Sequence, residues 1–320
     1  MAIDDKELDE MMPATELDWT EDARARMLNV PFFVRKSVVR GIEQYAKDKN
    51  IELIDDDVVS RARQEREADA IAESRRKKQA QEQTETGEEK KVPRQFVNFS
   101  FFKLDPAYRR LPQKEIDKGK KEFLEVLEEY DSRDDIILLS YTTMGIRADA
   151  ELMFWRVSYK MELFQEMTTK LYRTGLGKYL QQTYSYFSQT KKSMYMDIFN
   201  PEHEEDRTHI IPGKAKYLFI YPFTKKREWY LLTKFTRQGI MDEHIFVGNK
   251  YPSVKLNTTY SFGIDDYEFV VAFETDYPDD FVDLVMDLRE TEGSRYTLED
   301  TPIFSCTAMS LEDAVNALGI

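Results

Sequence analysis

The sequence predicts an α+β protein in which a small all-α domain precedes two similar β-α-β-β-α-β halves. Aromatic-rich apolar runs alternate with helical periodicity over residues 94–320, and their order occurs twice. Both halves also place a Gly-Ile turn between two apolar runs, in TTMGIRADAELMFW and in TYSFGIDDYEFVVAF. Such a repeat predicts paired antiparallel sheets, with helices on the outer faces and a pocket between sheet and helix in one or both halves.

Composition limits the function classes that need considering. The chain has 320 residues and a formal net charge of −14, whereas nucleic-acid and anionic-membrane binders need excess positive charge. The single cysteine, Cys306, cannot form an internal disulfide, and no apolar run reaches the roughly 20 residues that a membrane span needs. The first residues, MAIDDKELDEMM, are acidic, unlike a signal peptide. We therefore expect a cytoplasmic protein with no nucleic-acid partner and no membrane span.

Shifts in composition predict five segments. Large apolar side chains are almost absent between Ser60 and Lys91, so this stretch cannot bury a face. Before it, Trp19, Ala23 and Met27 recur at helical spacing, with Thr20 as a candidate cap. The predicted segments are a disordered leader (1–16), a small helical domain (17–66), a charged helical or flexible linker (67–93), the first half (94–200) and the second half (201–320).

The elements of the two halves follow from their apolar patterns. In the first half we expect strands at 95–104, 135–143, 150–158 and 183–189, with helices at 112–130 and from about Glu162. In the second half we expect strands at 216–223, 258–263, 266–275 and 301–308, with helices through His244 and over 278–290.

Only three histidines are present, so they limit any histidine chemistry. His244 lies on a predicted helix beside aromatic strands and is a candidate axial ligand for haem iron, although a core or surface histidine is the alternative. His209 precedes a strand, where an ordinary solvated loop residue is the alternative. His203 is flanked by acids in PEHEED and is expected to be exposed.

A basic cluster surrounds one apolar strand of this acidic chain. Tyr221 is expected at the end of that strand, and the surrounding cations are Lys214, Lys216, Lys225, Lys226, Arg227, Lys234 and Arg237. Cations gathered around an aromatic strand end suit a ligand with several carboxylates. An ordinary basic hairpin surface is the alternative.

Residues 94–308 resemble the chlorite dismutase-like haem protein family, specifically its coproheme decarboxylase branch. The resemblance is carried by the stretches GIRADAELMFW, YPFTKKREWYLL, MDEH, GNKYPSVKLNTTYSFGIDDYEFVVAFET and LVMDLRETEGSRYTLEDTPIFS. It implies a dimeric α+β barrel of two ferredoxin-like halves, haem b or coproheme (iron coproporphyrin III) as the bound group, and assembly as a homopentamer.

The same resemblance implies roles for individual residues. His244 matches the proximal ligand to iron, Tyr221 the tyrosine that carries the oxidising radical to the propionates, and Lys225 a base near a propionate. His209 matches a distal histidine that handles the protons of peroxide. Arg207 and Lys214, together with Lys216, are expected to neutralise further carboxylates.

Two positions differ from parts of the family. Leu256 stands where chlorite dismutases carry a catalytic arginine, so chlorite-splitting activity is expected to be absent. Leu256 is also expected to contact the bound tetrapyrrole. Asn249 stands where relatives usually have an arginine for a propionate.

Residues 17–66 resemble the small helical domain at the C-terminus of the light-independent protochlorophyllide reductase B subunit. The resemblance is carried by LDWTEDARARMLNVPFFVR. It suggests that this domain contacts another enzyme of tetrapyrrole metabolism.

The predicted function is therefore oxidative decarboxylation of coproheme to haem b in haem biosynthesis, with hydrogen peroxide as oxidant. The alternatives are a tetrapyrrole-binding or carrier protein without turnover and a haem peroxidase of low specificity.

Overall fold

The computed structural model describes residues 13–28, 30, 32–65, 93–195, 209–213 and 215–320. Contacts divide the chain into two compact units, Met1–Lys91 and Val92–Ile320. Most of the predicted leader and nearly all of the predicted linker lie outside the described residues. Among the helices that are described, none is both long and apolar enough to cross a membrane.

The N-terminal unit is a helical bundle with one short two-stranded parallel β-sheet. Its elements are β1 (Asp18–Trp19), α1 (Glu21–Leu28), α2 (Phe32–Asp48), β2 (Leu53–Ile54) and α3 (56–65). Thr20 Oγ1 accepts a hydrogen bond from the Ala23 amide at 3.4 Å, so the predicted cap of α1 is confirmed. Asp55 Oδ1 likewise accepts from the Val58 amide, at 2.8 Å, and caps α3.

A buried carboxylate holds the start of this unit against α2. Glu43 is 4% exposed. Its Oε1 atom accepts hydrogen bonds from the Glu16 amide at 2.8 Å, the Leu17 amide at 3.2 Å and Trp19 Nε1 at 3.2 Å. Three donors satisfy one buried carboxylate, so Glu43 connects residues that the helical pattern alone does not bring together.

The C-terminal unit contains the two predicted halves. The first has β3 (Phe96–Leu104), α4 (Gln113–Asp131), β4 (Ile136–Thr142), β5 (Leu152–Ser158), α5 (Glu162–Arg173) and β6 (Leu180–Gln189). The second has β7 (Tyr217–Lys225), α6 (Arg227–Leu231), α7 (Lys234–Gly248), β8 (Lys255–Tyr260), β9 (Phe269–Thr275), α8 (Pro278–Arg289), β10 (Thr297–Glu299), β11 (Phe304–Met309) and α9 (Leu311–Asn316).

The strands of the two halves close into a barrel. In the described residues, β6-β3-β5-β4 and β11-β7-β9-β8 are four-stranded antiparallel sheets with the same internal order. Pairing of β4 with β11 and of β6 with β8 joins them into a ring. The predicted α+β barrel of two ferredoxin-like halves is therefore confirmed.

Successive side chains along each strand point alternately into the barrel interior and toward the cores outside it. On β9, Val270 and Ala272 join the interior core, whereas Val271 and Phe273 face outward. In the first half, α4 and α5 cover the outer face with large side chains, among them Phe123, Leu127, Phe164 and Met167. In the second half, the outer face is less completely filled, and a cavity lies between the sheet and α7.

Some short elements differ from the sequence-based expectation. The strand expected at 258–263 instead spans Lys255–Tyr260, because Gly263 takes a positive φ of 74° in the turn that follows. The helices α6 and α9 are too short to show apolar periodicity, and no pattern in the sequence predicted them.

Candidate active site

The cavity of the second half is the candidate site. Its volume is about 2050 Å³, and α7 forms one wall while β7, β8 and β9 form another. Thr233 starts α7, since its Oγ1 accepts a hydrogen bond from the Thr236 amide at 3.1 Å. The side of α7 that lines the cavity carries Arg237, Met241, His244 and Gly248. Their spacing of three or four residues places them on one face of the helix.

His244 presents a neutral imidazole to this cavity. Its ring is only half-buried, because one side faces the cavity, but protein packs densely around the rest. Burial and, to a smaller extent, the positive charge of Lys225 together lower the pKa of His244 to about 4. At neutral pH the ring therefore keeps a free nitrogen lone pair, which is the form that ligates a metal.

Lys225 lies on the same side of the cavity as His244. Its Nζ donates a hydrogen bond to the Gly293 carbonyl oxygen at 3.0 Å and lies 4.7 Å from the centre of the Trp229 ring. Burial lowers the pKa of Lys225 to about 8, although the charge of Glu268 opposes this change. Lys225 is therefore a cation whose charge changes just above neutral pH.

Tyr221 lies on the opposite, sheet-side wall. Its ring stacks on Phe273 at 5.8 Å, and its hydroxyl has no hydrogen-bond partner among the described residues. Burial is the main reason that the pKa of Tyr221 is raised, and Asp300 raises it further while Arg289 opposes the change. The phenol therefore stays protonated across the physiological range.

Leu256 and its neighbours make the cavity wall largely apolar. Leu256 on β8 packs in a cluster with Val271, Phe273 and Leu284. Phe262, Ile264 and Phe269 extend this lining. A flat hydrophobic ligand fits such a wall, whereas Leu256 offers no charge or hydrogen bond to a small anion.

The polar part of the lining is strongly cationic. Among the described residues, no Asp or Glu lines the cavity. Seven Lys or Arg side chains do, namely Arg94, Lys191, Lys192, Lys225, Arg237, Lys250 and Lys255. Because the whole chain has a net charge of −14, this surplus is local to the site.

The structure brings together some of the predicted residues and leaves others apart. Tyr221, Lys225, His244, Asn249 and Leu256 all line the cavity. Lys216 does not; its backbone amide is bonded to Asp276 and its Nζ lies over the Tyr217 ring. Arg207, Lys214 and His203 lie outside the described residues.

His209 is not among the residues that line the cavity. Its ring instead meets Tyr159, beyond the end of β5, with centroids 6.3 Å apart. The adjacent Ile210 amide donates to Gln95 Oε1 at 2.6 Å. The described geometry therefore gives the expected distal role of His209 no support.

Sequence reasoning missed five of the lining cations, namely Arg94, Lys191, Lys192, Lys250 and Lys255. They lie outside the basic run around β7, and strand pairing brings Arg94 and Lys191 to one edge. The Thr190 amide donates to the Gln95 carbonyl oxygen at 2.9 Å, and the Gln95 amide donates to Thr190 Oγ1. The Lys191-Lys192 doublet directly after an aromatic strand was the one available signal.

Two known family models match parts of this chain. Residues 116–309, more than half of the chain, match the family model described as chlorite dismutase. The chain belongs to the chlorite dismutase family. Residues 19–63 match a second model, described as proto-chlorophyllide reductase 57 kD subunit, as the N-terminal pattern predicted.

A curated relative within the chlorite dismutase family is the coproheme decarboxylase of Mycolicibacterium smegmatis. It is 30% identical over 198 residues, which are 60% of this chain and 81% of the relative. The identity supports membership of a haem-binding family whose members include enzymes of haem biosynthesis.

Solved structures of other proteins share the fold of the C-terminal unit. A substituted chlorite dismutase from Candidatus Nitrospira defluvii superposes with a TM-score of 0.64 at 24% identity, over 71% of this chain and 96% of that chain. A haem-binding protein from Thermus thermophilus superposes with a TM-score of 0.62 at 25% identity, over 71% and 95% of the two chains.

Proposed function

We propose that the C-terminal unit binds coproheme and converts it to haem b by oxidative decarboxylation with hydrogen peroxide. The observation that carries this proposal is the lining of one cavity. A neutral histidine, a protonated tyrosine and seven cations border it, and no described acid does. A metallated tetrapyrrole with several carboxylates matches all three features.

The residues present fit such a substrate. His244 holds the iron through its neutral ring, and the apolar wall around Leu256 and Phe273 accommodates the flat macrocycle. The cations compensate the propionate charges, which an acidic protein would otherwise repel. The substrate's own iron supplies the chemistry with peroxide when it is bound, so the protein's task is to bind, orient and direct.

Tyr221 is the group that acts on the propionate. In each round it loses an electron and its phenolic proton, and it regains both as a hydrogen atom from the β carbon of a propionate. The propionate then releases carbon dioxide and a second electron, and a vinyl group forms. One peroxide accepts two electrons and becomes two water molecules, with uptake of one proton. Two rounds convert two propionates to vinyl groups.

His209 has no part in this proposal, since it lies outside the cavity lining. Lys225, for which the resemblance implies a role near a propionate, donates a hydrogen bond to the Gly293 carbonyl oxygen beside His244. We propose that it acts there as a cation that can turn toward a nearby carboxylate, and we assign it no proton-transfer step.

Mass spectrometry of the porphyrin products tests the proposal. Purified protein incubated with coproheme and limiting hydrogen peroxide should yield a species that has lost two carboxyl groups. Tyr217→Phe is a matched control, because Tyr217 precedes Tyr221 by four residues on β7 and does not line the cavity.

The alternatives give different products. A carrier would bind coproheme and leave its mass unchanged. A haem peroxidase of low specificity would oxidise an added phenol while leaving the propionates intact. Either result would contradict the proposed function.

A further inference from the structure

Arg237 occupies a distinctive position relative to His244. It precedes His244 by seven residues on α7, so both lie on the cavity-facing side of the helix. At 1.5 Å per residue, their Cα atoms are separated by about 10.5 Å along the helix axis. Arg237 therefore lies on the side of His244 that is nearer the N-terminal end of α7.

The side chain of Arg237 is partly buried beside Tyr195, but not all of its hydrogen-bond donors have partners among the described residues. Its Nε atom is buried and has no hydrogen-bond partner among the described residues. Its neighbour Tyr195 also lines the cavity, and the charge of Arg237 opposes the rise in the pKa of Tyr195 that burial causes. No described carboxylate pairs with Arg237, and a buried donor without a partner carries a free-energy cost that an anionic ligand removes.

A second lining cation lies past the other end of the same helix. Lys250 follows His244 by six residues and lines the cavity beyond Gly248, the last residue of α7. Its Nζ lies 3.4 Å from Asp287 Oδ2, so part of its charge is already compensated. Cations therefore flank His244 on both sides along α7, and Arg237 is the one that pairs with no carboxylate in the described part of the chain.

This arrangement discriminates between two kinds of tetrapyrrole. A porphyrin whose two propionates occupy neighbouring pyrroles presents carboxylates on one side only. A porphyrin with four propionates presents them on every side of the ring. Only the second kind can place carboxylates toward both ends of α7 at once while its metal stays on His244.

We propose that Arg237 binds a carboxylate of the tetrapyrrole and thereby selects a four-carboxylate ring over a two-carboxylate ring. This inference rests on the proposed function and adds a specificity-determining residue to it. Arg237 has a guanidinium that can hold a carboxylate through two parallel hydrogen bonds, which Lys250 cannot do.

Binding of two metal-free porphyrins tests this assignment without turnover. Coproporphyrin III carries four propionates, whereas mesoporphyrin IX replaces two of them with ethyl groups. The dissociation constants of both are measured by absorbance titration for wild type, Arg237→Gln, Arg237→Lys and Lys234→Gln. Lys234 is the matched control, an exposed cation on α7 that does not line the cavity.

The expected result is a loss of selectivity. Arg237→Gln should weaken coproporphyrin binding at least about tenfold, as expected for one lost charge-assisted hydrogen bond, and mesoporphyrin binding much less. Arg237→Lys should restore part of the difference, and Lys234→Gln should change neither constant. Unchanged circular dichroism of each variant shows that the helix is intact.

Three other outcomes would overturn the assignment. An unchanged ratio of the two dissociation constants in Arg237→Gln, with or without weaker binding of both ligands, removes the specificity role. A wild-type protein that binds neither metal-free porphyrin and also fails to bind ferric coproheme contradicts the proposed function as well. If wild type binds coproporphyrin and decarboxylates coproheme, and Arg237→Gln does both equally well, only the role of Arg237 is contradicted and the proposed function stands.

Discussion

Lys225 Nζ and the Gly293 carbonyl oxygen lie 3.0 Å apart, and this contact sets a half-buried cation beside His244. Gly293 itself adjoins the ring, since a Cβ added there would lie 3.9 Å from His244 Nδ1. Because Gly293 has no side chain, its backbone lies close to the imidazole without crowding it. The charge of Lys225 helps to keep the ring neutral. Together they prepare His244 for a metal.

Removal of the imidazole should abolish iron ligation. We expect His244→Ala to lose the Soret shift that accompanies binding of ferric coproheme and to weaken binding at least about tenfold. Lys234→Ala, on the same helix outside the cavity lining, serves as the control. An unchanged Soret band in His244→Ala would show that another residue ligates the iron.

Acid should destabilise the ligand-free protein through the same residue. The folded pKa of His244 is about 4, below the value of an unfolded histidine, so its contribution to stability is present above pH 6.5. That contribution is lost as pH falls from 6.5 toward 4, and we expect about 2 kcal/mol after allowing for the cavity-facing side of the ring. Urea unfolding of wild type and His244→Gln over this range measures it. Parallel curves for the two proteins would contradict the lowered pKa.

Tyr221→Phe should separate binding from conversion. The substitution keeps the ring that stacks on Phe273 but removes the hydroxyl hydrogen. We expect the dissociation constant of coproheme to change less than about threefold, while decarboxylation falls at least about 100-fold. Product analysis with peroxide measures the rate, and conversion at the wild-type rate would exclude the radical role.

Lys225 should make ligand binding depend on alkaline pH. Because its pKa is about 8, it is charged below this pH and neutral above it. A bound carboxylate favours the charged form, so coproheme affinity should fall as pH rises through about 8 to 9. Lys225→Met should bind more weakly and lose this dependence. A pH dependence that persists in Lys225→Met would assign it to another group.

His209→Ala distinguishes the family resemblance from the observed geometry. The resemblance predicts a slower reaction with peroxide, whereas a residue outside the cavity lining should leave that reaction within about twofold of wild type. Stopped-flow mixing of the coproheme complex with peroxide measures the rate. A large decrease with unchanged coproheme binding would show that His209 reaches the cavity in solution.

Glu43→Ala should destabilise the N-terminal unit. The change removes the acceptor of three hydrogen bonds and leaves the Trp19 indole nitrogen unpaired in a buried position. We expect a loss of about 3 kcal/mol in the stability of this unit. Hydrogen exchange of amides in residues 13–65 of the full chain measures it, with Glu52→Ala, an exposed neighbour, as control. Unaltered protection would show that these contacts contribute little.

Much of the fold could be predicted because the apolar pattern of each strand and helix is local in sequence. Each long strand of the barrel is an aromatic or β-branched run, and each long helix has apolar residues at helical spacing, so β3, α4, β9 and α8 fall within two or three residues of their predicted positions. Short elements such as α6 carry too few residues for any period to emerge. Strand pairing across the two halves, by contrast, is a long-range property that only the family resemblance implied.

The residues of the candidate site were predicted less completely than the fold. His244, Tyr221 and Leu256 lie in long matching stretches, and the structure places all three on one cavity. The cations were predicted from proximity along the chain, which included Arg237 but also Lys216, which points elsewhere. His209 followed from resemblance, and the described geometry leaves it against Tyr159.

The sequence by itself determined the α+β class, the two-half order, the helical N-terminal unit and the residues whose chemistry suits a haem-like ligand. Apolar periodicity and residue type are local, so they survive without coordinates. The tertiary structure decided which charges meet. Barrel closure brings the start of β3 and the end of β6 to the cavity served by α7, and an acidic chain thereby gathers a cationic site. Charges that lie far apart in sequence become neighbours only when the strands pair.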